Sequence, residues 1–549
     1  MSTPSRKLLR AGKPCCSLMA AVLLLMALAV TARAQEESLG DYARRIQSQK
    51  QSQVLISTDD GQRLFNEVDT ITQFSSQDSG LPKLAPVKRQ LIGRAEAEKY
   101  LRSQSEEGTQ QRRIDQTTVV LQKFGMLPAS FDLNTAMGDL VLKGIAGFYA
   151  FKDKTMYLLN WIDPDEQKMV MAHELTHALQ DQNFNLTRFV LRPQTEQAPP
   201  EMEIQQDDNS SESSLARRAV MEGQATVVGL DYRVKGLGIN LADSPDARQI
   251  AENTLQASYD PPVIIHNAPR LLRETMIFPY REGLRFELEL LAHGGRQEAF
   301  RETFKHPPLN THQILQPEAY LKNEPAPLVK IGDLAPVFGA AYRAYDSGTV
   351  GELDVQIMSE EFGRENDVYT VARKWGGGSY VAVRRTAVAA DAKLQTSDVA
   401  LVYLSRWKTQ QAAERFGHIY LQGIAKRLSM STPDEQSCDQ SKCAGPLWEE
   451  HALTSEGPVH AELWPGNLLL ITQSVDDAQM PALRSILLAG AKITRTSAVR
   501  SNAMPTNATQ ASADQPELAP RLFAMPQFQA LSEQAGIELG LAIQKRLAH

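Results

Sequence analysis

The stretch from Asp163 to Asp181 limits what this chain can become more than any other. It opens Asp163-Pro164-Asp-Glu166 and continues as a mostly apolar run: Met169, Val170, Met171, Ala172, Leu175, Ala178 and Leu179. Asp163 suits a helix N-cap, Pro164 the first helical position and Glu166 the third, so a helix is expected to begin here. An apolar surface this wide implies a helix buried on most sides. His173, Glu174 and His177 interrupt it, and polar groups in such a surface are costly to bury without partners.

His173 and His177 lie one turn apart on one helical face. Two imidazoles so placed can hold a single Zn²⁺, and Glu174 stays close enough to act as general base toward water. This is the H-E-x-x-H pattern. The plainer alternative is two core histidines bonded to backbone carbonyls beside a buried, paired Glu. A further ligand is on offer downstream. Leu215, Ala219, Glu222 and Thr226 share one helical face, so Glu222 points with the apolar stripe. Gly223 costs that helix about 1 kcal/mol against Ala. It would let a second helix approach closely.

The pattern His173-Glu174-x-x-His177 followed by Glu222 resembles the gluzincin zinc metallopeptidases. Ala172-His-Glu-Leu-Thr-His-Ala-Leu-Gln-Asp-Gln182 and Val220-Met-Glu-Gly-Gln-Ala-Thr226 are similar to segments of a little-characterised group of exported bacterial and archaeal gluzincins. The resemblance is best over residues 85–325. It implies one catalytic Zn²⁺ held by His173, His177 and Glu222, with Glu174 as general base. The fold it implies is α+β: a zincin-like, mainly helical metallopeptidase domain with a small sheet, then a smaller α+β domain. The chain departs from the family at two points. The gap from His177 to Glu222 is 45 residues, longer than in thermolysin-like enzymes. Thr226 stands where many gluzincins place an Asp that orients a His ligand.

The chain has 549 residues, enough for two or three domains. Residues 1–34 hold five of the 58 basic residues and none of the 65 acidic ones, leaving a net charge of −12 on the rest. A mildly acidic chain argues against nucleic acid or an anionic membrane as main partner. Residues 1–34 read as a secretory signal: a basic start from Arg6 to Lys13, an apolar run from Leu18 to Val30, and a small-x-small site at Ala32-Arg33-Ala34. The expectation is export to the periplasm or beyond, with no membrane span after cleavage; an uncleaved anchor is the alternative. Cys438 and Cys443 would survive cleavage. They can close a short loop in an oxidising compartment or remain free thiols.

Along the chain, residues 35–83 are polar and read as a loosely packed lead-in with short helical patterns from Glu37 to Gln51 and from Gln62 to Phe74, and 84–328 as the metallopeptidase domain. Gly147 to Leu159 reads as a hairpin around Lys152-Asp153-Lys154. The resemblance implies that its edge receives an extended peptide; an ordinary core hairpin is the alternative. Residues 185–214 read as a mobile acidic and Ser-rich insert. Tyr280 and His312 are candidates for donating to the reaction's oxyanion, although a Tyr beside Pro usually packs and a loop His usually faces water. Residues 329–497 read as an α+β module with Trp375 and Trp407 in its core, and its two strand–helix runs suggest a weak duplication. A linker (498–518) and a terminal helical segment (519–549) follow. The expected partner is a peptide or protein substrate. Two rival readings use the same residues: a non-catalytic zincin-fold envelope binding protein, and a metal-dependent amidase acting on cell-wall peptides.

Overall fold

The computed structural model describes residues 56–103, 108–133, 147–162, 164–191, 211–256, 268–363, 370–389, 393–431, 434–437, 445–490, 494–496 and 543. The expected leader, the linker, Cys438 and Cys443 lie outside these residues. So do Asp163, residues 192–210 of the insert and, apart from Ile543, the terminal segment.

Residues 58–79 are not a loose lead-in. They form helix α1 (Thr58–Ser79), N-capped by Ser57. Leu64, Val68 and Ile71 recur at helical spacing and cluster with Met171, Ala172 and Leu175 of the His173 stretch. The helical pattern expected from Gln62 to Phe74 is this element, longer at both ends, with its polar residues on the side opposite the apolar face.

A small sheet follows, built from β1 (Lys88–Ile92), β2 (Gly147–Ala150) and β3 (Thr155–Leu159) in the order β1-β3-β2. Between β1 and β2 run helices α2 (Arg94–Ser103) and α3 (Gly108–Phe124). The expected hairpin is present: β2 pairs antiparallel with β3, and Lys154 in the turn takes a left-handed φ of 53°. β1 pairs parallel with β3, so among the described residues β2 is an edge strand.

The His173 stretch is helix α4 (Pro164–Phe184), starting at the proline. The insert is shorter than composition suggested. Its first residues form α5 (Leu186–Leu191), with Leu186 and Val190 buried. Its last residues open α6 (Ser211–Val234), where Glu212 is buried rather than part of a mobile loop. After α7 (Pro245–Gln256), the long helix α8 (Arg270–Gln297) crosses α6 and ends in a π turn, Glu298–Glu302. Short helices α9 (Thr311–Leu315) and α10 (Pro317–Leu321) follow.

The remaining residues form a seven-stranded antiparallel sheet in the order β5-β6-β7-β11-β10-β9-β8. Its strands are β5 (Tyr342–Thr349), β6 (Trp375–Arg385), β7 (Val399–Trp407), β8 (Asp434–Ser437), β9 (Trp448–Thr454), β10 (Gly457–Trp464) and β11 (Leu468–Gln473). Helices α11 (Glu352–Phe362), α12 (Gln410–Arg427) and α13 (Met480–Gly490) accompany it, and a separate short pair joins β4 (Ala326–Leu328) to β12 (Thr494–Thr496). Trp375 and Trp407 are core residues. Leu401, Tyr403, Leu469 and Ile471 share a core with α12, whereas the alternating Ala400, Val402, Leu404 and Leu470 share another with α13. The two helices therefore cover opposite faces.

The class is α+β. Phe124 of α3 meets Tyr380 and Tyr403 of the large sheet edge-on, and one apolar core runs from α3, α6 and α8 into that sheet. Among the described residues no helix is long and apolar enough to cross a membrane.

Candidate metal centre

α4 and α6 lie side by side, and three side chains converge between them. His173 Nε2 is 3.1 Å and His177 Nε2 3.2 Å from the same Glu222 oxygen, and the two ring nitrogens are 3.1 Å apart. The rings stand nearly perpendicular, at 89°. All three residues are buried, and among the described residues no other such group of His, Cys, Asp or Glu converges. Each atom carries a lone pair, so the cluster holds together only around positive charge. Zn²⁺ bonds of about 2.0–2.1 Å set tetrahedral ligand edges near ~3.3 Å. The triangle fits that size closely, and two imidazoles plus one carboxylate are a donor set zinc accepts.

The chain matches no family model, no curated protein and no solved structure. The site is therefore read from its own chemistry.

Glu174 reaches the sheet. Its Oε2 accepts a 2.8 Å hydrogen bond from the backbone N–H of Tyr149 on β2. Burial pushes its carboxyl up, opposed by His173 and His177 and reinforced by Glu222. Burial also works against the charge on Glu222, but the two histidines outweigh it and hold that carboxyl well below the usual range. On His177 burial is again outweighed, by the Glu222 charge and hydrogen bond, and the imidazole is held up at about 9. Without metal, a proton supplies the positive charge that the three ligands require.

Around the triad the chain uses amides rather than carboxylates. His177 Nδ1 lies 2.8 Å from Gln180 Oε1. Gln180 in turn donates to the Met221 carbonyl and to Gln224 Oε1 on α6. The Thr226 hydroxyl closes back onto the Glu222 carbonyl of its own helix. Asp181 clamps the surroundings. It accepts from Tyr149 Oη, Lys154 Nζ and the Leu186 N–H, joining α4 to the hairpin and to α5. Sequence reasoning missed Gln180, Gln224 and Asp181. The available signal was a Gln three residues after His177, on the ligand face of the helix.

The two donor candidates part company. Tyr280 on α8 stacks on the His173 ring at 6.1 Å and 23°, beside the triad. His312 does not reach it. Its Nδ1 pairs with Glu352, to which Gln316 also donates. The neighbouring Thr311 binds Glu212 through its N–H and hydroxyl. Glu212 precedes Glu222 by ten residues on one continuous helix, or about 15 Å at 1.5 Å per residue. His312 is neither a surface loop histidine nor a neighbour of the His173, His177 and Glu222 triad. It is the basic member of a buried acidic cluster.

Proposed function

We propose that the chain is a zinc-dependent metallopeptidase that cleaves peptide bonds after export. The observation that carries this is the convergence of His173, His177 and Glu222 within 3.1–3.2 Å of one another, with Glu174 next in sequence and tied to a sheet edge.

In this reading His173 Nε2, His177 Nε2 and one Glu222 oxygen hold the metal. Bound zinc supplies a Lewis acid that acidifies water and polarises a carbonyl. Glu174 takes the proton from the attacking water and passes it to the amine as the C–N bond breaks. The Tyr149 N–H fixes one Glu174 oxygen and so aims the carboxylate. It also orients β2. A residue in an antiparallel strand sends its N–H and C=O to the same side, so Tyr149 directs both away from β3. The outer edge of β2 thus lies on the Glu174 side, where the Tyr149 carbonyl can accept from an extended peptide added as a further strand while its N–H stays with Glu174. Tyr280 is the donor candidate that lies beside the triad. The basic and apolar character of residues 1–34 supports export.

The test compares zinc-loaded wild type with Glu174→Gln on denatured protein, short peptides and cell-wall fragments. Wild type is expected to cleave denatured protein. Glu174→Gln is expected to keep its zinc and lose about 10²–10⁴-fold in turnover, the range for a general base. Full activity in the variant would remove Glu174 from the mechanism. Zinc binding without turnover on any substrate would favour a non-catalytic binding protein, and turnover confined to wall fragments would favour an amidase.

A further inference from the structure

We infer that Gln180 and Gln224 form a positioning relay that fixes the tautomer of His177 and the separation of the two ligand-bearing helices. This rests on the zinc reading of the triad.

The relay's polarity is settled from its far end. A backbone carbonyl only accepts, so the atom of Gln224 that lies 2.8 Å from the Ala299 carbonyl is its amide nitrogen. The same nitrogen meets Thr303 Oγ1 at 3.0 Å, whose own proton goes to the Ala299 carbonyl. Gln224 therefore turns its oxygen toward α4. There it accepts from Gln180 Nε2 at 2.9 Å, and that nitrogen is independently held at 3.1 Å from the Met221 carbonyl. Two carbonyls thus leave Gln180 only one orientation, with its oxygen facing His177. Nδ1 of His177 must then carry a proton, and the metal-binding lone pair falls on Nε2, the atom that points at His173 and Glu222.

The relay sets more than a proton. Gln180 belongs to α4, whereas Met221 and Gln224 flank Glu222 on α6. The bonds that orient His177 also fix how far the carboxylate helix stands from the histidine helix. Gln180, Gln224 and Thr303 are fully buried, so water cannot take over these bonds. An amide orients the ring without adding another negative charge beside Glu174 and Glu222. That is a physical reason for Gln here in place of a carboxylate.

The experiment loads wild type, Gln180→Leu, Gln180→Glu and Gln224→Leu with ¹¹³Cd²⁺, reads cadmium–nitrogen coupling by NMR, and measures zinc affinity by chelator competition. Wild type should couple through His177 Nε2. Gln180→Leu should bind zinc about 10–100-fold more weakly, the usual effect of losing a group that orients a ligand. Gln224→Leu should weaken it less. Gln180→Glu keeps an acceptor for the Nδ1 proton, so it should retain Nε2 coupling and stay within about tenfold of wild-type affinity. Coupling through Nδ1 in wild type would overturn the relay. So would unchanged affinity in Gln180→Leu, and both results would leave the zinc reading standing. Failure of wild type to bind either metal would overturn the zinc reading and the relay with it.

Discussion

Glu287 on α8 is fully buried. Its Cγ would lie 3.0 Å from a Cβ added at Gly223 of α6, which places it against the ligand helix. Burial pushes its carboxyl well up, with the nearby Gln224 amide the one opposing influence. A carboxyl whose folded pKa is raised holds its proton longer when folded than when unfolded. Its share of stability is full below the unfolded value of about 4.3 and is lost as pH rises toward and through the folded value. Glu287→Gln removes that titration, so it should raise the melting temperature more at pH 8 than at pH 5. Equal gains at both pH values, or a larger one at pH 5, would mean that the carboxyl is not held protonated. At this scale the sequence was legible where chemistry dictates spacing. His173, Glu174, His177 and Glu222 could be picked out because two histidines four apart on an apolar helix need a shared partner. Gln180 and Gln224 could not, since a glutamine fits many helix positions and its meaning depends on what faces it. His312 was misread for the same reason, its partner Glu352 being 40 residues away.

The crossing of α6 and α8 brings the backbones together at two glycines. A Cβ on Gly283 would meet the Ala219 carbonyl oxygen at 2.2 Å, and one on Gly223 would meet the Gly283 backbone at 2.4 Å. Neither helix can yield without moving its partner. Tyr280, one turn before Gly283, is carried by this contact onto the His173 ring. Gly283→Ala is therefore expected to cost about 1–3 kcal/mol, the usual penalty for overpacking, seen as a lower urea midpoint with an unchanged slope. An unchanged midpoint would show that the crossing is looser than described. The close approach was foreseeable from Gly223, but the helix that answers it was not. The helical pattern of α1 could be read, but its place against α4 could not. Glu212, read as the edge of a mobile insert, is buried where its carboxylate meets Thr311.

Across the molecule, α6, which carries Glu222, shares a core with the seven-stranded sheet, whereas α4 packs with α1 and the small sheet. A ligand that binds only the folded chain stabilises the whole by mass action, by about 4 kcal/mol at a thousand times its dissociation constant. The alternating strands of the large sheet and the α+β character of residues 329–497 could be read from sequence periodicity, whereas the α+β fold of the whole chain was what the resemblance implied. The strand order and the opposite placement of α12 and α13 could not, because local pattern does not record which edges meet. Everything proposed about chemistry depends on one cation joining α4 to α6. The direct measurement is zinc content per chain after exhaustive dialysis, in wild type and in Glu222→Ala, with circular dichroism confirming that both are folded. The account predicts one zinc per wild-type chain and nearly none in the variant. Wild type without zinc, or a folded variant that keeps a full equivalent, would contradict it.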